Sequence, residues 1–193
     1  CLCALQAQRN TTMKGDVGMG ETILKMQGIQ KYFSGVHALN GVNFDLRAGE
    51  VHALMGENGA GKSTLIKVLC GIHAKDGGTI EYLGKEVAFA DIGESQDAGI
   101  SVIHQELNMM NDLTVAQNMF IGREFMKGGF IKDKAMEAEA QRQFDKMGVK
   151  IDPAEKLGNL TVGKQQMVEI TKAISRDCKL LVLDEPTAAL TLP

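Results

Sequence analysis

From Ile23 the apolar and polar positions follow a strand-like order, and from Thr114 a helix-like one. Ile23 to Ile29 and Lys31-Tyr32-Phe33 precede a Ser34-Gly35 turn. Val42-Asn43-Phe44-Asp45-Leu46 then alternates as a half-buried strand does. Arg47-Ala48-Gly49-Glu50 turns the chain into Val51-His52-Ala53-Leu54-Met55, a short apolar strand. The following Leu65, Ile66, Val68 and Leu69 fall at helical spacing, with Gly71 as a C-terminal cap. Asp76-Gly77-Gly78 predicts a turn, and Thr79–Leu83 with Lys85–Phe89 a hairpin across Gly84. Ile100–His104 is a further strand, ending at Gln105 and Glu106.

The helical half opens on Thr114-Val115-Ala116-Gln117, which has capping-box form. Asp133 can cap a helix with Met136, Ala140, Phe144 and Met147 on one face, closed by Gly148. Such a methionine stripe is more often core than binding surface. Thr161 caps a third helix, with Met167, Ile170 and Ile174 turned inward. Last comes Lys179-Leu180-Leu181-Val182-Leu183-Asp184-Glu185-Pro186, the pattern of a buried parallel strand that delivers two acids to the sheet's edge. Residues 1–21 show no period, and Leu2 and Leu5 are too few for a signal-peptide core. They read as upstream translated sequence or a disordered leader, with Met13 or Met19 as alternative starts.

Composition narrows the classes. A chain of 193 residues, 44% hydrophobic and 23% charged, can bury a core as one domain or a domain with a subdomain. A net charge of −3 without a basic block argues against nucleic acid as a partner. No apolar run approaches the roughly 20 residues of a membrane helix. Cys1, Cys3, Cys70 and Cys178 lack zinc-type spacing and read as reduced thiols.

Two stretches carry chemistry. Gly56-Glu57-Asn58-Gly59-Ala60-Gly61-Lys62-Ser63-Thr64 fits G-x-x-x-x-G-K-[ST] at every fixed position, between a predicted strand and a predicted helix. Its glycines let backbone N–H groups converge on phosphate oxygens at the positive end of a helix. Lys62 would reach the β- and γ-phosphates, and the Ser63 hydroxyl would ligate Mg²⁺. Asp184 at its strand end can hold the same ion, and Glu185 can orient or deprotonate the attacking water. Paired acids at a strand end are often merely solvated, but here a phosphate loop lies upstream. Of the aromatic pair Tyr32 and Phe33, one ring could stack on a base while the other packs.

The phosphate loop, Gln105 at a strand end, Leu160-Thr161-Val162-Gly163-Lys164-Gln165-Gln166 at a helix start, and Leu183-Asp184-Glu185-Pro186-Thr187 occur in one order. That order resembles an ABC-type ATPase cassette. More narrowly, His104–Asn108, Gln166–Ile170 and Asp184–Thr187 with Leu190-Thr191 resemble the first cassette of ribose/galactose-type sugar importers. The resemblance covers about Ile23 to Thr191. It implies an α/β fold: a P-loop NTPase (RecA-like) core with an N-terminal antiparallel β subdomain and an inserted helical subdomain at about 108–175. The C-terminal part of that core would lie past Pro193. Residues 22–193 would form the incomplete nucleotide-binding domain, and 1–21 a leader foreign to it.

By the same resemblance, the cofactors are ATP and Mg²⁺. Phe33, with Tyr32 as the alternative, takes the base-stacking place, and Gly56 through Thr64 hold the phosphates. Gln105 senses Mg²⁺ and water, Asp184 supports the metal, and Glu185 is the catalytic carboxylate. Thr161, Val162 and Gly163 cap the γ-phosphate of a nucleotide on a second cassette. The implied partners are permease subunits at the cytoplasmic face of the membrane and, through them, a sugar-binding protein. Val162 and Lys164 depart from the family's usual Leu-Ser-Gly-Gly-Gln. The switch histidine would lie beyond Pro193, which implies weak hydrolysis by this stretch alone. A soluble cassette of translation or DNA repair would show basic or inserted segments. A kinase or GTPase would not explain the helix start at Thr161.

Overall fold

The alternation after Ile23 resolves into two twelve-residue strands, β2 (Thr22–Phe33) and β3 (Val36–Arg47), paired antiparallel across the Ser34–Gly35 turn. A computed structural model describes residues 2–7, 20–103, 109–175 and 178–184 of the chain. Its backbone runs β1 (Leu2–Ala7), β2, β3, β4 (Val51–Met55), α1 (Lys62–Leu69), β5 (Gly77–Tyr82), β6 (Lys85–Glu86), α2 (Ile92–Asp97) and β7 (Ile100–Ile103). Then follow α3 (Val115–Phe120), the ribbon β8 (Met126–Lys127) and β9 (Phe130–Ile131), α4 (Asp133–Met147), a 3-10 turn (Leu157–Asn159), α5 (Val162–Ile174) and β10 (Leu180–Asp184). These residues divide into two compact units. One holds the chain up to Val102 together with β10, and the other runs from Ile103 to the end of α5.

The first unit contains two sheets. The antiparallel one has the order β3-β2-β5-β6. Register shifts at Met26/Ile29 and Ile29/Lys31 let β2 run unbroken to Phe33, where the sequence reads as two shorter runs. The second sheet has the order β4-β1-β10-β7. One core serves the unit: Leu24, Met26 and Ile29 of β2, Leu46 of β3, Leu69 of α1, Ile100 of β7, and Leu180 and Val182 of β10 are fully or almost fully buried. Burial of these apolar side chains is the main favourable term, on the order of 25 cal/mol per Å² of apolar surface.

The structure corrects the sequence reading in several places. Leu2–Ala7, expected to be disordered, is a strand lying antiparallel to β4 on one side and to β10 on the other, with Cys3 opposite both Leu54 and Asp184. Its pairing needs only backbone donors and acceptors, so no hydrophobic period announces it. Consequently β10, expected in a parallel setting, has an antiparallel neighbour on its β1 side. The predicted strand Lys85–Phe89 shortens to the two residues of β6. On α5 the buried positions are Val168 and Thr171, while Met167, Ile170 and Ile174 are half-buried.

The second unit is built as its period predicts. Thr114 accepts the Gln117 N–H and the Gln117 side chain accepts the Thr114 N–H, which completes the capping box of α3. Met136, Ala140 and Phe144 face inward on α4, and Gly148 ends it in the left-handed region. The helix itself starts at Asp133, so Lys132 and not Asp133 is the N-cap residue. Val115, Met119, Phe144, Leu157 and Val168 meet in this unit's core.

Candidate nucleotide-binding site

β4 delivers the chain into residues 56–61, and α1 begins at Lys62. The turn is tight: the Ala60 N–H donates to the Glu57 carbonyl at 3.1 Å, and Leu65 N–H closes the first helical bond to Gly61 at 2.9 Å. Gly61 is the N-cap residue at φ 87°, in the left-handed region that an L side chain resists. A Cβ there would also stand 2.7 Å from the Ala38 carbonyl oxygen of β3. Conformation and space therefore both require glycine. No side chain caps α1, and its first turn carries no acid. The helix start keeps its positive end and its N–H donors available to an anion.

The Lys62 ammonium folds back over this loop and donates to the carbonyls of Gly56 at 2.7 Å and Glu57 at 2.8 Å. Ser63 beside it is exposed. In the same unit β10, its first three residues buried, ends at Asp184. A hydroxyl and a carboxylate are hard oxygen donors of the kind Mg²⁺ takes, so the residues fit the ion the sequence implies. Among the described residues no cluster of three His, Cys, Asp or Glu could hold a metal alone. Gln105 and Glu185, the expected sensor and catalytic acid, lie outside the described residues.

Both rings of the aromatic pair stand at the surface. Tyr32 meets His37 edge-on at 3.9 Å, and its hydroxyl bonds the Gln30 side chain. Phe33 is 38% exposed, meets His73 edge-on at 5.0 Å, and has the Lys31 ammonium 5.4 Å from its ring centre. Asp76 fixes this corner. It pairs with Lys31 at 3.1 Å and accepts the Tyr32 N–H at 2.7 Å. The Tyr32 N–H first, and then Lys31, hold its carboxyl below the ordinary 3.8. The sequence suggests only a turn at Asp76; an acid just ahead of a strand gives no hint of a partner 44 residues away.

In the second unit Thr161 is the N-cap residue of α5 in extended conformation, and its hydroxyl makes no capping bond. Val162 is 57% exposed, and a Cβ at Gly163 would meet nothing within 4 Å. Two residues missed in the sequence position these elements. Gln165 donates to the carbonyls of Leu157 and Leu160, tying the start of α5 to the 3-10 turn. Buried Asn118 accepts the Met110 N–H and donates to the carbonyls of Met110 and Thr114, fixing the approach to α3. A side-chain amide at a helix's first turn or facing its cap is the only available signal for either. Glu169 of α5 is half-buried. Burial pushes its carboxyl up, Lys172 opposes that shift, and Oε2 has no hydrogen-bond partner among the described residues.

The family model for ABC transporters matches residues 39–188. The chain belongs to the ABC transporter family. This cassette is 53% identical to the xylose import ATP-binding protein XylG of Geobacillus kaustophilus (strain HTA426) over 175 residues, 90% of this chain and 35% of that protein. It is 55% identical to the ribose import ATP-binding protein RbsA of the same organism over 171 residues, 88% of this chain and 35% of that one. The cassette thus spans about a third of the length of the curated relatives it matches. Among solved structures it resembles the ADP conformation of MJ1267, an ATP-binding cassette of an ABC transporter. There the TM-score is 0.69 at 27% identity, covering 82% of this chain and 66% of that one. For cbiO1 from Clostridium perfringens the TM-score is 0.72 at 26% identity, covering 88% and 67%. The P-loop α/β fold expected from the sequence is therefore the fold of this family. Among the described residues no helix is long and apolar enough to cross a membrane.

Proposed function

We propose that this cassette binds Mg·ATP on residues 56–64 and supplies the ATP-hydrolysing motor of a simple-sugar importer. The observation that carries the reading is the Lys62 ammonium held over an uncapped helix start by two loop carbonyls. A nucleotide's β- and γ-phosphate oxygens would take those carbonyls' place, and the N–H groups at the start of α1 would donate to the same anion. Mg²⁺, when bound, neutralises phosphate charge, and Ser63 and Asp184 are the residues that would hold it. Gln105 and Glu185 are assigned to the water, and Phe33 to the base, with Tyr32 the alternative.

Thr161, Val162 and Gly163 are assigned to the γ-phosphate of a nucleotide on a second cassette. Among the described residues nothing in the packing calls for a glycine at 163. An unengaged cap hydroxyl at Thr161, one residue before the exposed helix start, suits an incoming anion. The relatives' printed names, xylose and ribose import, favour a sugar cargo moved through permease subunits at the cytoplasmic face of the membrane. The sugar itself would be recognised by those partners and by a binding protein outside.

Titration calorimetry of Mg·ATP with the chain and with Lys62→Ala tests the nucleotide site. Loss of a charge-assisted contact of about 1.5–3 kcal/mol should weaken binding by roughly ten- to a hundredfold. Equal affinities would remove the assignment.

A further inference from the structure

The ribbon β8–β9 of the second unit leaves its apolar side chains in water. Gly128 and Gly129 make its two-residue turn at φ 61° and 84°, the primed turn that joins tightly twisted strands. Met126 faces Ile131 across the ribbon, and Lys127 faces Phe130. Neighbouring residues of a strand point to opposite sides, so Met126 and Ile131 occupy one face and Phe130 the other. They are 60%, 52% and 79% exposed. The ribbon is nonetheless firmly based. Phe125 packs on buried Phe120 with ring centres 5.0 Å apart, and the Lys132 N–H donates to the Phe125 carbonyl at 2.7 Å.

We propose that this ribbon is a lipid anchor that inserts into the headgroup region of an anionic bilayer. A protein partner would cover one face of a ribbon. Apolar groups on both faces suit a medium that surrounds the tip. The two residues behind the turn reach about 7 Å, which matches the roughly 5–10 Å depth at which interfacial segments sit. Charge agrees. Although the chain carries net charge −3, the stretch 123–134 has four basic side chains, Arg123, Lys127, Lys132 and Lys134, against Glu124 and Asp133. Lys127 and Lys132 make no side-chain hydrogen bond or ion pair among the described residues, and both are exposed. Such lysines can keep their ammonium groups at lipid phosphates while their stems lie beside the inserted rings. The inference concerns bare lipid and stands apart from the nucleotide and sugar readings.

The chain contains no tryptophan, so Phe130→Trp provides a single emission reporter at the tip. The variant is mixed with vesicles of phosphatidylcholine alone or with 30 mol% (about one lipid in three) phosphatidylglycerol, a content sufficient for a negative surface potential. Flotation and a blue shift with the anionic vesicles only, both reversed by high salt, are expected. Lys127→Gln and Lys132→Gln should each weaken partitioning about fivefold. Phe130→Asp should abolish it with the thermal melt unchanged, since the ring stands exposed outside the unit's core. Absence of flotation, equal flotation with neutral vesicles, or flotation without a blue shift overturns the proposal. So does a ribbon whose hydrogen exchange slows only with a detergent-solubilised membrane protein, which would make it a protein contact.

Discussion

Gly61 shows how one atom can decide a loop. Its φ of 87° and the 2.7 Å gap between a notional Cβ and the Ala38 oxygen act together, because relieving the clash would move β3 against the start of α1. Gly61→Ala should lower unfolding stability by roughly 1–3 kcal/mol, read from a urea titration. A variant as stable as the parent would show that the loop relaxes at no cost. At this scale the sequence is generous: the fixed positions of the phosphate loop name Gly61, Lys62 and Ser63 outright. It does not reveal that Ala38 of β3 is what crowds Gly61, since nothing in the stretch of chain between them couples the two. Gln165 and Asn118 escape notice for the same reason, because their value lies in which carbonyls the fold brings within reach.

Elements with local causes were legible. The capping box at Thr114, the glycine ending α4, and the alternation of Val42 to Leu46 are each decided by neighbours within a few residues. Elements with distant causes were not. β2 looks broken because register shifts interrupt its period, and Asp76 looks like turn filler. Asp76 instead bonds the Tyr32 N–H near the end of β2 one residue before β5 begins, and its own N–H donates to Gln30. That pin depends on charge. The folded state lowers the carboxyl below 3.8, so the unfolded chain takes up the proton first as pH falls. The contribution is complete above pH ~5 and vanishes once pH drops through the depressed folded value. Asp76→Asn should therefore melt at a lower temperature than the parent at pH 7, and the gap should close in acid. A gap independent of pH would mean that shape, not charge, holds the corner.

For the molecule as a whole, the motif order carried the family, while the placement of Gln105 and Glu185 lies outside the described residues. We propose that a permease docks on the span from Gln105 to Phe125; its amides should then exchange more slowly once a cognate permease is added, with Asn118 holding the approach to α3 rigid. Unchanged exchange in an otherwise formed complex would count against it. One feature of the central sheet also bears on time. Cys3 of β1 lies opposite Asp184 of β10, so residues near the start of the chain wait for a strand nearly its whole length away. The cores of α3, α4 and α5, by contrast, are made of residues between Val115 and Val168. Closing the longer loop costs more entropy and makes for slower assembly. The three helices should acquire amide protection first during refolding, and β10 last, in a pulse-labelling experiment; simultaneous protection would refute this order. During synthesis β1 and β7 would meanwhile lack the β10 strand that lies between them, which makes the newly made chain most vulnerable to strand-to-strand association just before β10 is added.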